Sequence, residues 1–289
     1  MRRRAVIAGC CLALGVSPGC AGARARRERP EDGPASATAR LELSQAATAA
    51  MDRGDLPRAR TDLERLVAQS PRSAELHYRL GKVRQLQGEL SAARGCFCAA
   101  LELDKQYVGA LIGLGQVDAR LDRPEEALIH FDKAIDVEPN QGEAHLARGQ
   151  VLETLGRTDE ALWAYLRSLE LDRLSVAAMT RVASIQLGRG LADQALVRLN
   201  DANELAPEDA EVRHRRGLAH LALKHPKPAI ADLEFASARL PERPDVMLDL
   251  ARAFEANHQP EAARLLAQKA LALQPDSALA RDLAGRLRR

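Results

Sequence analysis

Residues 108–141, VGALIGLGQVDARLDRPEEALIHFDKAIDVEPNQ, and residues 142–175, GEAHLARGQVLETLGRTDEALWAYLRSLELDRLS, lie one on the other without a gap. Gly115 falls on Gly149, Ala127 on Ala161, Phe131 on Tyr165 and Ala134 on Ser168. Carried outward in both directions, the same 34-residue spacing gives seven units without insertions, beginning at Arg40, Ala74, Val108, Gly142, Val176, Ala210 and Pro244. A partial unit, 278–289, follows. Self-similarity at one fixed period of this size is the signature of a repeat architecture, in which each unit buries its apolar face on its neighbours.

The register rests on small residues. The eighth position of the units holds Ala47, Gly81, Gly115, Gly149, Ala183, Gly217 and Ala251, and the twentieth holds alanine in every unit, from Ala59 to Ala263. The twenty-seventh is Ala or Ser except at Leu66. Small side chains at helical spacing allow two antiparallel helices to approach closely. The bulky twenty-fourth residues Leu63, Phe97, Phe131, Tyr165, Leu199 and Leu233 fill the space between, with Ala267 the exception. Glycine at the fifteenth position (Gly54, Gly88, Gly156, Gly190) and proline two places on (Pro124, Pro226, Pro260) predict a helix end and a helix start. Proline at the thirty-second position (Pro71, Pro139, Pro207, Pro241, Pro275) ends the second helix. Each unit is predicted to be a helical hairpin.

Period, small residues, bulky residue and proline together resemble the tetratricopeptide repeat, over about four-fifths of the chain. The resemblance implies an all-α, right-handed superhelical solenoid of helical hairpins over 40–277, closed by a capping helix over 278–289. At the fourth and eleventh positions the family's usual bulky residues give way to His77, Arg213, Arg84, Asp118 and Gln186, so looser packing is expected there.

Composition agrees with helix: aromatics are only 3% of a chain rich in Ala, Leu, Arg and Glu. From Arg40 onward 35 basic residues face 37 acidic ones, which speaks against a nucleic-acid partner. Residues 1–23 place Arg2, Arg3 and Arg4 before an apolar run from Ala5 to Val16 and a small-residue run from Ser17 to Ala23, the order of a secretory signal. Two cleavage readings stay open. A cut before Cys20 gives a bacterial lipoprotein acylated on that cysteine and anchored to a membrane in the cell envelope, facing the periplasm; a cut after Ala23 follows the small-residue rule. Residues 24–39, rich in Arg, Glu, Pro, Gly and Ser, read as a disordered linker.

No motif for catalysis, metal or cofactor stands out. His214, His220 and His225 are six and five residues apart and miss the spacing that puts two ligands on one helical face. Cys96 and Cys98 point about 200° apart on a helix, as packing residues would. The resemblance implies a non-catalytic scaffold that binds a protein or peptide in a concave groove lined by the first helices. The positions expected to line it hold Glu75, Tyr78, Arg79, Lys82, Gln85, Gln116 and Arg120 in the second and third units. Thr180, Arg181, Ser184, His214 and Arg215 follow in the fifth and sixth, and Arg252 in the seventh. Arg79, Lys82 and Arg120 are expected to meet an acidic or C-terminal carboxylate group. The lysine and asparagine pairs of the chaperone-binding members are absent. An envelope adaptor that gathers assembly or secretion factors, a cytosolic scaffold and a regulatory subunit of an enzyme complex all fit this reading.

Overall fold

A computed structural model describes residues 34–286, and the leader with Cys20 and most of the linker lie outside the described residues. By its contacts the chain divides after Leu41. Of the first part only the opening turns of helix α1 (Pro34–Asp52) are described. Residues 34–39, which composition assigns to the linker, are therefore helical, and the linker reading is corrected there. The account that follows concerns Glu42 onward.

Among the described residues the chain holds fifteen helices and no strand. After α1 come α2 (Leu56–Gln69), α3 (Ala74–Leu86), α4 (Leu90–Leu103), α5 (Val108–Arg120) and α6 (Pro124–Val137). They are followed by α7 (Gly142–Thr154), α8 (Thr158–Leu171), α9 (Val176–Gly188), α10 (Ala192–Leu205) and α11 (Ala210–Ala222). The series ends with α12 (Pro226–Arg239), α13 (Pro244–Ala256), α14 (Pro260–Leu273) and α15 (Ala278–Arg286). From α2 onward each helix packs on the next in the chain, and Ala47 and Ala50 of α1 share a core with Ala59 and Leu63 of α2, so the fold is an all-α solenoid.

The hairpin turn is the same in every unit. The sixteenth N–H donates to the eleventh carbonyl, from Asp55 to Ala50 at 2.8 Å through Gln259 to Phe254 at 2.9 Å. This six-to-one bond closes the first helix around a left-handed fifteenth residue. Gly54, Gly88, Gly156 and Gly190 hold φ between 72° and 79° there, and Asp122, Lys224 and His258 adopt about 60° at the same place in the other units.

Within each hairpin the eighth and twenty-fourth residues are matched in size. A methyl group on Gly81 would come within 2.6 Å of the Phe97 ring, one on Gly115 within 2.7 Å of Phe131, and one on Gly149 within 2.6 Å of Tyr165. Units whose eighth residue is alanine carry Leu63, Leu199 or Ala267 instead of a ring. The rings themselves are fully or almost fully buried.

His77, Arg84, Asp118, Gln186 and Arg213, expected to pack loosely, each have a specific partner rather than a void. Asp118, 0% exposed, lies 2.7 Å from Arg94 Nε and 3.3 Å from His130 Nε2. Arg84 pairs with Glu64 at 3.1 Å and reaches the buried Cys96 Sγ at 3.5 Å. Arg213 pairs with Asp232 at 3.1 Å and stacks over Phe235. His77 meets the Pro71 carbonyl at 3.0 Å, and Gln186 donates to Gln194 at 3.2 Å. Burial works to raise the Asp118 carboxyl, but His130 and Arg94 outweigh it and hold it below its ordinary value.

Two outcomes test this packing. Gly149→Ala gains about 1 kcal/mol of helix propensity but drives a methyl into Tyr165, and overpacking of this kind costs about 1–3 kcal/mol. The urea midpoint should therefore fall. Adding Tyr165→Leu, which recreates the native Ala183 and Leu199 pairing, should restore most of it. Asp118→Ala leaves Arg94 without its carboxylate and should lower stability at pH 7 by about 3 kcal/mol. Because the folded carboxyl is held low, its contribution is complete above the unfolded value of about 4 and is lost as pH falls through the depressed folded value. The gap between wild type and variant in denaturant midpoint should close as pH drops below about 4.

Candidate functional site

The first helices touch one another across units, α3 on α5, α5 on α7, α9 on α11 and α11 on α13, while no pair of second helices meets as closely. Helices drawn together on one side and spread on the other make that first-helix side the inner wall of the stack. Three recesses open along it, of about 470, 610 and 590 Å³.

The first recess is aromatic and acidic. Tyr78 packs at 5.2 Å on Tyr107 and at 6.1 Å on Phe97, centroid to centroid, and the Tyr107 hydroxyl donates to Glu75. Gly109, Ile112, Glu138 and Glu143 are among the other residues that line it. Burial raises both phenols above their ordinary value, so they stay neutral donors.

The second recess is held by an amide relay across three units. Gln85 Nε2 donates to Gln116 Oε1 at 3.0 Å, and Gln116 Nε2 to Glu143 Oε1 at 2.9 Å, tying α3, α5 and α7 together. Arg120 Nη1 donates to the Gln85 carbonyl at 3.3 Å. Gln150, Val151, Thr154 and Leu155 form the opposite wall. Nearby, Arg79 donates to Thr48 Oγ1 at 2.5 Å and Ser44 Oγ at 3.3 Å. Lys82, half-buried on α3, has no carboxylate within ion-pair distance among the described residues. Among the described residues, then, Arg79 and Arg120 meet neutral acceptors and Lys82 has no carboxylate close by.

The cations further along are compensated. Arg181 lies 3.5 Å from Glu153, Arg215 2.6 Å from Glu211 and Arg252 3.1 Å from Asp249. Arg243 adds a second cation to Glu211 at 2.9 Å. Burial works to raise the Glu211 carboxyl, and Arg215 and Arg243 together hold it low. Thr180 and Ser184 line the third recess, but each hydroxyl donates to its own helix, to Val176 O at 2.7 Å and Thr180 O at 2.9 Å.

His214 departs from its expected place on the groove. It is 2% exposed, enclosed between α11 and α13 with Nε2 2.9 Å from Asp249 Oδ2. The carboxylate on the next first helix gives the imidazole a polar partner inside, so the ring turns from solvent. Sequence reading passed over Glu143, Gln150 and Glu153, although they occupy the second, ninth and twelfth positions of the fourth unit, the same rows that single out Glu75, Gln116 and Gln85. Tyr107, last residue of its unit, lies outside those rows and gives no periodic signal. Among the described residues no cluster of three or more His, Cys, Asp or Glu is placed to hold a metal ion, and no helix is long and apolar enough to cross a membrane.

The family pattern described as tetratricopeptide repeat matches residues 44–108, 112–178 and 214–278, about two-thirds of the chain. Anaphase-promoting complex subunit 3 of Schizosaccharomyces pombe is 28% identical over 144 residues, 47% of this chain and 22% of that protein. BBSome complex member BBS4 of Bos taurus is 26% identical over 194 residues, 67% of this chain and 37% of that protein. The chain therefore spans well under half the length of either relative. The crystal structure of the APC/C hetero-tetramer Cut9–Hcn1 contains a chain that superposes with a TM-score of 0.73 at 19% identity, covering 86% of this chain and 48% of that one. At that identity the likeness concerns the fold alone.

Proposed function

The chain belongs to the tetratricopeptide-repeat family, and on that premise we propose that it is a non-catalytic protein–protein interaction scaffold that holds an extended partner segment in the groove of its first helices. The relatives that support this reading are named as members of multi-protein complexes. The observation that carries it is the contrast along the inner wall. Arg79, Lys82 and Arg120 are met by hydroxyls, a carbonyl or nothing charged, whereas Arg181, Arg215 and Arg252 already have carboxylates. A cation whose nearest acceptors are neutral retains most of its attraction for an incoming anion, and charge-assisted bonds are the stronger ones. The second and third units are therefore the end at which an acidic side chain or a C-terminal carboxylate of the partner docks, beside the recess of about 610 Å³ between α3, α5 and α7.

Its setting, on this proposal, is the bacterial envelope. The order of arginines, apolar run and small residues in 1–23 supports export, and Gly19 before Cys20 supports acylation of that cysteine. The scaffold would then stand on the periplasmic face of a membrane and gather assembly or secretion factors.

Two measurements test these points separately. Arg79→Glu with Lys82→Glu should lower the affinity for partner segments ending in a free carboxylate by about tenfold or more, while Arg181→Glu has a smaller effect because Arg181 is already paired. Equal binding by all three proteins would sink the charged end of the groove. Metabolic labelling with a palmitate analogue should mark the wild type and not Cys20→Ala. An unlabelled chain with an intact N-terminus in the soluble fraction would point to the cytosolic scaffold.

A further inference from the structure

The outer surface of the solenoid carries a pattern that the groove does not explain. On the second helix of each unit, the eighteenth, twenty-second and twenty-ninth positions lie opposite the buried twentieth, twenty-fourth and twenty-seventh, and so point outward. In α6, α8 and α10 the twenty-second residues are Ile129, Trp163 and Val197, exposed by 49%, 56% and 65%. Leu166, one turn further on α8, widens the patch at its centre. Isolated exposed apolar residues need no explanation, but three at one register position on consecutive ridges form a row. Trp163 is held in place, edge-on to the buried His145 with centroids 6.2 Å apart.

The row is bracketed by carboxylates. About 6 Å before it along the helix axes run Glu125, Asp159 and Asp193, and about 10 Å after it run Asp136, Glu170 and Glu204. Arg189 and Arg167 reach Asp159 and Glu170, while the other four have no cation partner among the described residues. Exposed pairs of that kind neutralise little in water. The exposed residues of these three helices include ten acids and one lysine, Lys133. The full pattern, an exposed apolar residue with an acid on both sides, occurs in the third to fifth units; the seventh has Leu265 with Glu261 on one side. In the flanking units the eighteenth row holds Pro57, Ser91, Lys227 and Glu261 and the twenty-ninth Ala68, Glu102, Ala238 and Ala272, so no flanking unit carries both acids.

From this we infer that the convex face of the third to fifth units is a second docking surface, which takes a cationic amphipathic helix of a partner protein. Its apolar side lies across Ile129, Trp163 and Val197, and its lysines and arginines lie along the two acidic rows. The carboxylates disfavour two other occupants of an apolar row. A second copy of the chain would oppose acid to acid about any two-fold axis through Trp163, and an anionic lipid surface would be repelled.

Trp163 is the one tryptophan in the chain, so its emission reports this surface directly. The test is titration of the purified full chain with an 18-residue helical peptide of leucine and lysine in amphipathic order. The expected result is a saturable blue shift at one peptide per chain, no shift with the leucine and glutamate counterpart, and a weaker one with the lysine peptide in scrambled order. Ile129→Asp, Val197→Asp, and Glu125→Lys with Asp193→Lys should each weaken binding about tenfold, at positions too exposed to disturb folding, with unchanged circular dichroism as the control. Arg79→Glu with Lys82→Glu should leave the shift intact, which separates this surface from the groove. The proposal is overturned by the absence of a shift, by equal response to the glutamate or scrambled peptide, or by loss of the shift in the groove variant. It is also overturned by a shift that grows with protein concentration alone, which identifies a second copy, or by one produced by phosphatidylglycerol vesicles and not by the peptide, which identifies a lipid surface.

Discussion

The contact between the eighth and twenty-fourth residues sets how closely the two helices of a unit approach, and the rest of the solenoid depends on that distance. Where the twenty-fourth is a ring, as in Phe97, Phe131 and Tyr165, the eighth has no side chain at all, and the ring occupies the place of the missing Cβ. A rigid ring cannot rotate away as a leucine can, so ring and glycine must occur together. Gly217 faces Leu233 in the sixth unit, where the branched side chain has more freedom to adjust. Repetition of one approach distance makes each hairpin nearly the same shape. Hairpins of the same shape, stacked at one register, bring first helix onto first helix and leave second helices spread outside. The inner wall is thus a consequence of a size rule inside the hairpin.

The parts of the structure that depend on this rule are legible in the sequence because they recur. Glycine or alanine at the eighth place, alanine at the twentieth and the left-handed turn at the fifteenth appear unit after unit, and they determine the all-α fold. Features that occur once are not legible this way. Asp118 at an eleventh position reads as a defect, since its partners Arg94 and His130 sit on α4 and α6, outside the rows that set the register. His214 occupies a groove row, yet Asp249 on the next first helix draws it inside, a pairwise effect that a single-row reading cannot contain. The helical start of α1 at Pro34 escapes for a related reason. Residues 34–39 lie upstream of the first unit, so composition alone decided them, and Pro, Ala, Ser and Thr suggest a linker. Glu143, Gln150 and Glu153 are the opposite case, legible by the same rows that single out Gln116.

The near balance of charge conceals a division between faces. On the inner wall, arginines are compensated in the fifth to seventh units and left to neutral acceptors in the second and third. On the outer surface, acids dominate α6, α8 and α10. A whole-chain count of +2 carries none of this, because a solenoid separates its surfaces by register rather than by sequence segment.

Register also distinguishes what folding requires from what it does not. The eighth, twentieth, twenty-fourth and twenty-seventh residues are constrained by close approach, and their identities need no further cause. The twenty-second residues of the second helices lie on the exposed side, and Thr61, Gly95, Ala231 and Leu265 show that this place accepts a hydroxyl, no side chain, a methyl or a leucine. A tryptophan that rests one edge on His145 but leaves more than half its surface in water, with isoleucine and valine on either side, is exposed beyond what hairpin packing requires. Its placement at the centre of an apolar row, with both flanking acids present only in these three units, points to what the surface contacts rather than to how the chain folds.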